Sequence, residues 1–255
     1  MIPFIESVAR KAGREAMDYF NCMKPNTVSD KTTTRDLVST ADRAVEKKII
    51  GLIREKYPDH CIFGEESGHA DTDSEYCWVI DPIDGTQSFV KRHPYFSISI
   101  ALKKKGRAIA GCVYAPALNL LFSAEEGKGA FENGEPIHPS SCSTIETAAC
   151  CTGFACLRSR LEINNLHYFN RLVPVIRDIK RCGSAALDLA FVASGRYDAY
   201  WELNLQEYDV AAGAFIVLTA GASVCDIFGG NDYPAKGILA ATPALLPQFL
   251  PYFKD

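Results

Sequence analysis

Asp81-Pro82-Ile83-Asp84-Gly85-Thr86, reached through the apolar run Cys77-Trp78-Val79-Ile80, is the stretch that decides how this chain folds. A short run of large apolar residues that stops at acids reads as a buried strand ending in a functional loop. Asp81 and Asp84 flank a Pro-Ile pair, and Gly85 permits a sharp turn of the backbone. Thr86-Gln87-Ser88-Phe89-Val90-Lys91 then starts a helix, its first N–H groups pointing toward the acids. Two carboxylates, a hydroxyl and a helix N-terminus at the mouth of a strand suit a divalent cation holding a phosphate. An Asp-Gly turn with an N-cap has the same composition. Taken alone, the hexapeptide favours neither reading.

The bulk numbers narrow the field. A chain of 255 residues with 47% hydrophobic and 23% charged content can bury a sizeable core. Its net charge of −4 gives no footing for nucleic acid, and Lys103-Lys104-Lys105-Gly106-Arg107 reads as a solvated hairpin turn. Met1-Ile2-Pro3-Phe4 lacks a basic segment followed by an apolar one, and no apolar run is long enough to span a membrane. A cytoplasmic protein is therefore expected. None of the ten cysteines forms a C-x-x-C pair, and Cys77, Cys112 and Cys225 lie in apolar runs. Buried, reduced thiols fit that usage better than disulfides. The five histidines are scattered with no i, i+4 pair, which weighs against zinc.

Along the chain, Ile5, Val8, Ala9, Ala12, Ala16 and Phe20 recur at helical spacing, so Ile2 to Phe20 reads as an amphipathic helix. Asn21 to Asp36 is polar and reads as a mobile loop. A second helix enters at Leu37, buries Val45, Ile49, Leu52 and Ile53, and stops at Pro58. Cys61-Ile62-Phe63 is a short strand running into the acidic Gly64-Glu65-Glu66-Ser67-Gly68. After the hexapeptide, Phe96, Ile98, Ile100 and Leu102 alternate with Ser97, Ser99 and Ala101, the period of a strand. Strands over 107–114 and 120–124 and a hairpin turn at Glu132-Asn133-Gly134-Glu135 complete an antiparallel-looking sheet. The second half alternates: strand 147–152, helix 158–172, helix 183–194, strand 197–203 ending in Glu202, helix 210–220 opened by Asp209, and strand 223–227, after which 237–241 and a short tail follow. No linker divides the halves, so residues 1–142 and 143–255 are read as one intimately packed α/β unit.

Five acids fall at element ends: Asp42, Glu65, Asp81, Asp84 and Asp209. Each alone has a structural reading as a cap or turn residue. Gathered together they need a cation, because like charges ~4 Å apart at an effective dielectric of ~20 repel by ~4 kcal/mol. With oxygen donors and neither a histidine pair nor a thiolate cluster in the sequence pattern, the ion should be hard, Mg²⁺ first and Mn²⁺ second.

At this point the chain resembles the inositol monophosphatase family of magnesium-dependent, lithium-sensitive phosphatases. The resemblance rests on Lys31 followed by Asp36-Leu37-Val38-Ser39 and Asp42, on Gly64-Glu65-Glu66-Ser67, on Trp78 to Thr86, and on Tyr208-Asp209-Val210-Ala211-Ala212-Gly213. It implies a layered αβαβα sandwich of the inositol monophosphatase and fructose-1,6-bisphosphatase type, and a homodimer. It implies that Glu65, Asp81 and the Ile83 carbonyl hold one Mg²⁺, that Asp81, Asp84 and Asp209 hold a second, and that a third ion is reached through water from Glu65. It implies that Thr86 and Asp42 activate the attacking water, and that Gly85 and Thr86 cradle the phosphate. Gly183, Ser184 and Ala185 match a segment lining the pocket, Glu202 a position that binds inositol hydroxyls, and Lys31 a loop residue within reach of metals and phosphate. Tyr208 stands where the family usually has tryptophan. Gln87-Ser88 replaces a frequent Thr-Asn, and Thr219-Ala220-Gly221-Ala222 a more acidic, glycine-rich segment.

The chemistry is consistent with such a site. Phosphate-monoester hydrolysis requires up to ~10²¹-fold acceleration, whereas one positioned base supplies ~10²–10⁴. Charge neutralisation and positioning must provide most of the remainder. No serine or cysteine nucleophile motif is visible, so direct attack by water is the simpler route. Inositol monophosphate leads, with histidinol phosphate, fructose bisphosphate and 3′-phosphoadenosine nucleotides as alternatives. Gln87, where relatives of the last kind carry lysine, argues against them. A metabolite-binding or scaffolding protein without turnover is the alternative from a different class.

Overall fold

Strands that are apolar on both faces can be buried only between layers, and the computed structural model has five. It describes residues 1–22, 34–70, 72–158 and 164–254. Lys31 and most of the loop expected around it lie outside the described residues. In chain order the elements are α1 (Ile2–Cys22), α2 (Thr34–Lys56), β1 (Cys61–Gly64), β2 (Gly68–Ala70), β3 (Tyr76–Asp84), α3 (Thr86–Val90), β4 (Ser97–Lys104), β5 (Arg107–Ala115), β6 (Leu120–Glu125), β7 (Gly129–Glu132), β8 (Glu135–Pro136) and β9 (Ala149–Thr152). Then follow α4 (Ala155–Arg158), α5 (Asn165–Leu172), β10 (Asp178–Lys180), α6 (Ala185–Ala193), β11 (Ala199–Glu202), α7 (Glu207–Ala220), β12 (Ser223–Cys225), β13 (Ile238–Ala241) and α8 (Leu246–Phe249).

The first sheet runs β2-β1-β3-β4-β5-β6-β7-β8, with only β1 and β3 parallel. The second runs β10-β9-β11-β13-β12. Trp78, Ile80, Ile98, Ile100 and Leu102 face α1 and α2, whose Ile5, Val8, Val45 and Ile49 are buried against them. Val79, Ala101 and Val113 point the other way, into α6 and α7. Those two helices are apolar on nearly every side because they lie between the sheets, and Cys151, Tyr200 and Ala240 of the second sheet close over them. Trp201 and Leu239 face outward onto Tyr168, Phe249 and Phe253, the fifth layer. The αβαβα sandwich implied by the sequence is the fold.

Several boundaries differ from expectation. The helix expected from Leu37 begins at Thr34, and Leu52 on its stripe is only half-buried. In place of one helix over 158–172, the described residues show α4 and a separate α5, started by the Asn164 side chain accepting from the Leu166 N–H at 3.1 Å. Strands β2 and β10 are too short to show an alternation in sequence. Lys105-Gly106 does form the hairpin turn, with positive φ at both residues. Among the described residues no helix is long and apolar enough to cross a membrane.

Candidate metal and phosphate site

Asp81 and Asp84 are three apart, which in a regular strand would send them to opposite faces. Contrary to the expected strand-then-loop, β3 runs through both acids, and an irregularity lies between them. Asp81 pairs with Ser99 and Asp84 with Ser97, so β3 has one residue more than β4 over this interval. Pro82 brings no N–H to the ladder at that point. The extra residue restores the two carboxylates to one side. Gly85 then turns with φ +94, where a Cβ would stand 3.1 Å from the Gly183 and Tyr95 carbonyl oxygens. Only glycine fits there.

Asp209 comes from the first turn of α7, where its carboxylate accepts from the Gln206 N–H at 2.6 Å in a capping box. One oxygen each of Asp81, Asp84 and Asp209 lie within 4.8 Å of one another. Glu65 joins them from the turn after β1. As a residue Glu65 is exposed, yet its carboxyl shares a hydrogen bond with Asp81 inside the group. Enclosure of that carboxyl, followed by the Asp84 charge, pushes it up to about 7 despite the Asp81 bond. Burial, followed by the Asp209 charge, raises Asp84 to about 7. This occurs although Ser184 Oγ at 2.6 Å and the Ala186 N–H at 2.7 Å both donate to it. Asp209 is likewise raised to about 7, by burial and then by Glu65 and Glu202. Asp81, with the Ile83 N–H donating to it at 3.0 Å, lies well above the usual carboxylate range through burial and its three acidic neighbours.

Asp42, from α2, stands behind Glu65 and does not line the cleft. Among the described residues its buried Oδ1 has no hydrogen-bond partner. Burial and the charges of Glu65, Glu66 and Glu46 raise it to about 8. Crowded anions and an orphaned buried oxygen are what a hard cation with its water would satisfy, so these residues fit the divalent ion that the resemblance implies.

Around the acids is a cleft of about 420 Å³ that Gly85, Thr86, Gly183, Ala185 and Glu202 also line. Thr86 Oγ donates to the Ile83 carbonyl at 3.3 Å, and no Thr86–Asp42 hydrogen bond occurs among the described residues. Ser184 caps α6 by accepting from the Leu187 N–H and lies behind the cleft wall, fully buried. Glu202 is buried rather than exposed at its strand end, with 7% of its surface accessible. Tyr200 Oη donates to its Oε2 at 2.8 Å and the Ala155 N–H to its Oε1 at 3.0 Å. A Cβ at Gly153 would lie 1.9 Å from Oε2, so the carboxylate occupies space that only a glycine leaves.

Some supporting residues were not anticipated. Glu46, 2% exposed, accepts from the Glu66 and Ser67 N–H groups at 3.0 and 2.8 Å and so holds the turn that carries Glu65. Ser97 and Ser99, the small residues of the alternating strand, reach Ser184 Oγ and the Tyr208 carbonyl and tie the sheet to α6 and α7. Arg181, Asn204 and Gln206 line the cleft as well. Glu46 sits one turn after Asp42 on a helix, an i, i+4 spacing that was available in the sequence. The others came from segments with no chemical pattern of their own.

Comparisons with known proteins bear on the family and the fold. The model describing the inositol monophosphatase family matches residues 1–255. The chain is 41% identical over 244 residues to Nus factor SuhB of Pasteurella multocida, covering 95% of this chain and 91% of that protein. Its structure resembles the extragenic suppressor protein suhB of Bartonella henselae, with TM-score 0.88 and 34% identity over 100% and 99% of the two chains. It also resembles inositol monophosphatase from Anabaena, with TM-score 0.87 and 33% identity over 96% and 92%.

Proposed function

Since the chain belongs to the inositol monophosphatase family, we propose that it hydrolyses a small phosphate monoester with Mg²⁺ by direct attack of water, myo-inositol monophosphate being the lead substrate. The observation that carries this reading is the trio Asp81, Asp84 and Asp209, converging within 4.8 Å at the floor of the cleft. Glu65, Asp81 and the Ile83 carbonyl would hold one ion, and Asp81, Asp84 and Asp209 another. Bound Mg²⁺ would supply charge neutralisation at the phosphoryl group and at the attacking and leaving oxygens. Gly85 and Thr86 would present backbone N–H groups to the phosphate, with Gly183 and Ala185 closing the opposite wall. Thr86 would orient the water by turning its hydroxyl from the Ile83 carbonyl, and Asp42, as the carboxylate, would take the proton. Lys31, from the first loop, would approach the phosphate.

Glu202 is proposed to choose the alcohol. Tyr200 and the Ala155 N–H each donate to one of its oxygens, and the carboxylate lines the cleft as a charged acceptor within reach of an alcohol bound there. A charged acceptor contributes ~1.5–3 kcal/mol, so Glu202→Gln should lower kcat/KM for inositol monophosphate by about ten- to a hundredfold. Hydrolysis of a plain aryl phosphate should barely change. Equal losses on both substrates would assign Glu202 to support of the metal ligands, and no loss on either would remove inositol as the lead. Homodimer formation and a cytoplasmic location belong to the same proposal, and sedimentation of the purified chain tests the first. The relatives' name, Nus factor, is what favours a second reading, a scaffold without turnover. Retention of all five acids weighs against it, and phosphate release in a monophosphate screen with and without Mg²⁺ separates the two.

A further inference from the structure

The strands that deliver the acids carry a second group of donors that the proposed hydrolysis does not use. Strands β1 and β3 run parallel with Cys61 opposite Cys77, so both side chains leave the same face, and their sulfurs stand 2.8 Å apart. The edge strand β2 places His69 opposite Phe63, two residues along from Cys61 and on that same face. Cys61, His69 and Cys77 each offer a donor atom within 4.8 Å of the other two. The Phe63 ring lies 5.3 Å from the imidazole and braces it. Three donors from three neighbouring strands converge, although no two are close in the sequence.

We propose that Cys61, Cys77 and His69 form a binding site for a thiophilic divalent cation, Zn²⁺ first, that staples the hairpin carrying Glu65. The donor set is chemically distinct from the carboxylate group. Two thiolates and an imidazole select zinc-like ions, whereas Mg²⁺ prefers oxygen and keeps much of its water. Zn–S contacts of about 2.3 Å and Zn–N contacts of about 2.0–2.1 Å are ordinary for such a set. Tetrahedral coordination at those lengths would hold the sulfurs about 3.8 Å apart, so they must separate by about 1 Å. His69 stands on a three-residue strand at the edge of the sheet.

Access and surroundings are compatible with entry of an ion. Cys61 is buried, Cys77 half-buried and His69 exposed, so one side of the group opens to solvent and to a water as fourth ligand. Lys103 lies opposite Cys77 on β4 and is paired with Glu207. Its charge favours the thiolate, while burial and the Cys61 thiol push Cys77 up to about 12. Binding therefore displaces both thiol protons to solvent as the two metal–sulfur bonds form.

The consequence is local order. Cys61 precedes the Glu65 turn and His69 follows it, so the ion would pinch the hairpin below the turn that Glu46 already holds. Occupancy would restrict Glu65 without touching the carboxylate group.

The test uses the full chain, reduced, stripped with chelator and returned to saturating Mg²⁺ so that oxygen-ligand sites are filled. Titration with Co²⁺ should give one equivalent showing a thiolate-to-cobalt charge-transfer band, which carboxylate ligation does not produce, and Zn²⁺ should displace it. A hundredfold excess of Zn²⁺ over its dissociation constant should raise the unfolding temperature by about 5–10 °C. Cys77→Ser should abolish the band. His69→Asn, at an exposed position on the edge strand, should weaken Zn²⁺ binding at least tenfold. Absence of the band, its retention in both variants, or a wild-type chain that stays two mass units light after treatment with reductant because a Cys61–Cys77 disulfide resists it, would each overturn the proposal.

Discussion

The two ends of the β1–β3 pair hold opposite kinds of chemistry. At the starts of these strands stand Cys61 and Cys77, and at or just beyond their ends stand Glu65, Asp81 and Asp84. Burial raises the acid dissociation constants' pKa values in both regions, Cys77 to about 12 and Asp84 to about 7. What differs is the second contribution. The thiols are uncharged at neutral pH and can sit side by side, whereas the carboxylates repel one another as soon as they ionise. Clustered acids therefore need a cation to remain folded as anions, while clustered thiols can persist without one. The same backbone pairing yields one site that demands an ion and another that only accepts one.

The largest effect should come from crossing the two regions. Asp84→Asn removes a ligand that is also held by Ser184 and the Ala186 N–H, and should lower kcat at least a hundredfold in saturating Mg²⁺. Cys77→Ser should leave kcat within about threefold, since no proposed step touches it. Comparable losses in both variants would make the two ends one functional unit. A phosphate-release assay reads both.

Next in size is Thr86→Ala, expected to lower kcat by about ten- to a hundredfold with KM and Mg²⁺ affinity kept. A rise in KM alone would assign the hydroxyl to binding, as its contact with the Ile83 carbonyl would then suggest.

The pH response should be smaller but of definite sign. Glu65, Asp84 and Asp209 at about 7 and Asp42 at about 8 are raised far above the ordinary carboxylate range, so the folded chain holds protons that the unfolded chain has released. Stability of the metal-free protein is then greatest at acid pH with respect to these groups, and falls as pH rises from about 4 through about 8. Mg²⁺ should restore it most at pH 8 and least at pH 5, where protons occupy the ligands. Unfolding temperatures measured at both pH values, with Mg²⁺ and with chelator, check this. Equal Mg²⁺ shifts at both would mean that the acids do not bind the ion.

The smallest effect is expected at Gly153→Ala. The added methyl meets the Glu202 carboxylate, which must move, so inositol monophosphate hydrolysis should fall several-fold more than aryl phosphate hydrolysis. Equal change on both would separate the Glu202 position from substrate choice.

Much of this was legible in the order of residues. The period-two alternation Phe96 to Leu102 and the helical spacing Ile5 to Phe20 marked a layered fold, because those periods record which face is buried. The acids at element ends became candidate metal ligands only together with the family resemblance, because each alone also reads as a cap or turn residue. Tertiary structure alone decided that β3 runs on to Asp84 with one extra residue, which turns Asp81 and Asp84 to the same side. It also decided that Glu202 is buried between Tyr200 and Ala155, and that Cys61, His69 and Cys77 meet. Sequence patterns report local periodicity and local turn chemistry. Which strand lies beside which, and in what register, depends on packing among segments far apart in the chain, and that register is what brings two scattered cysteines and an exposed histidine to one point.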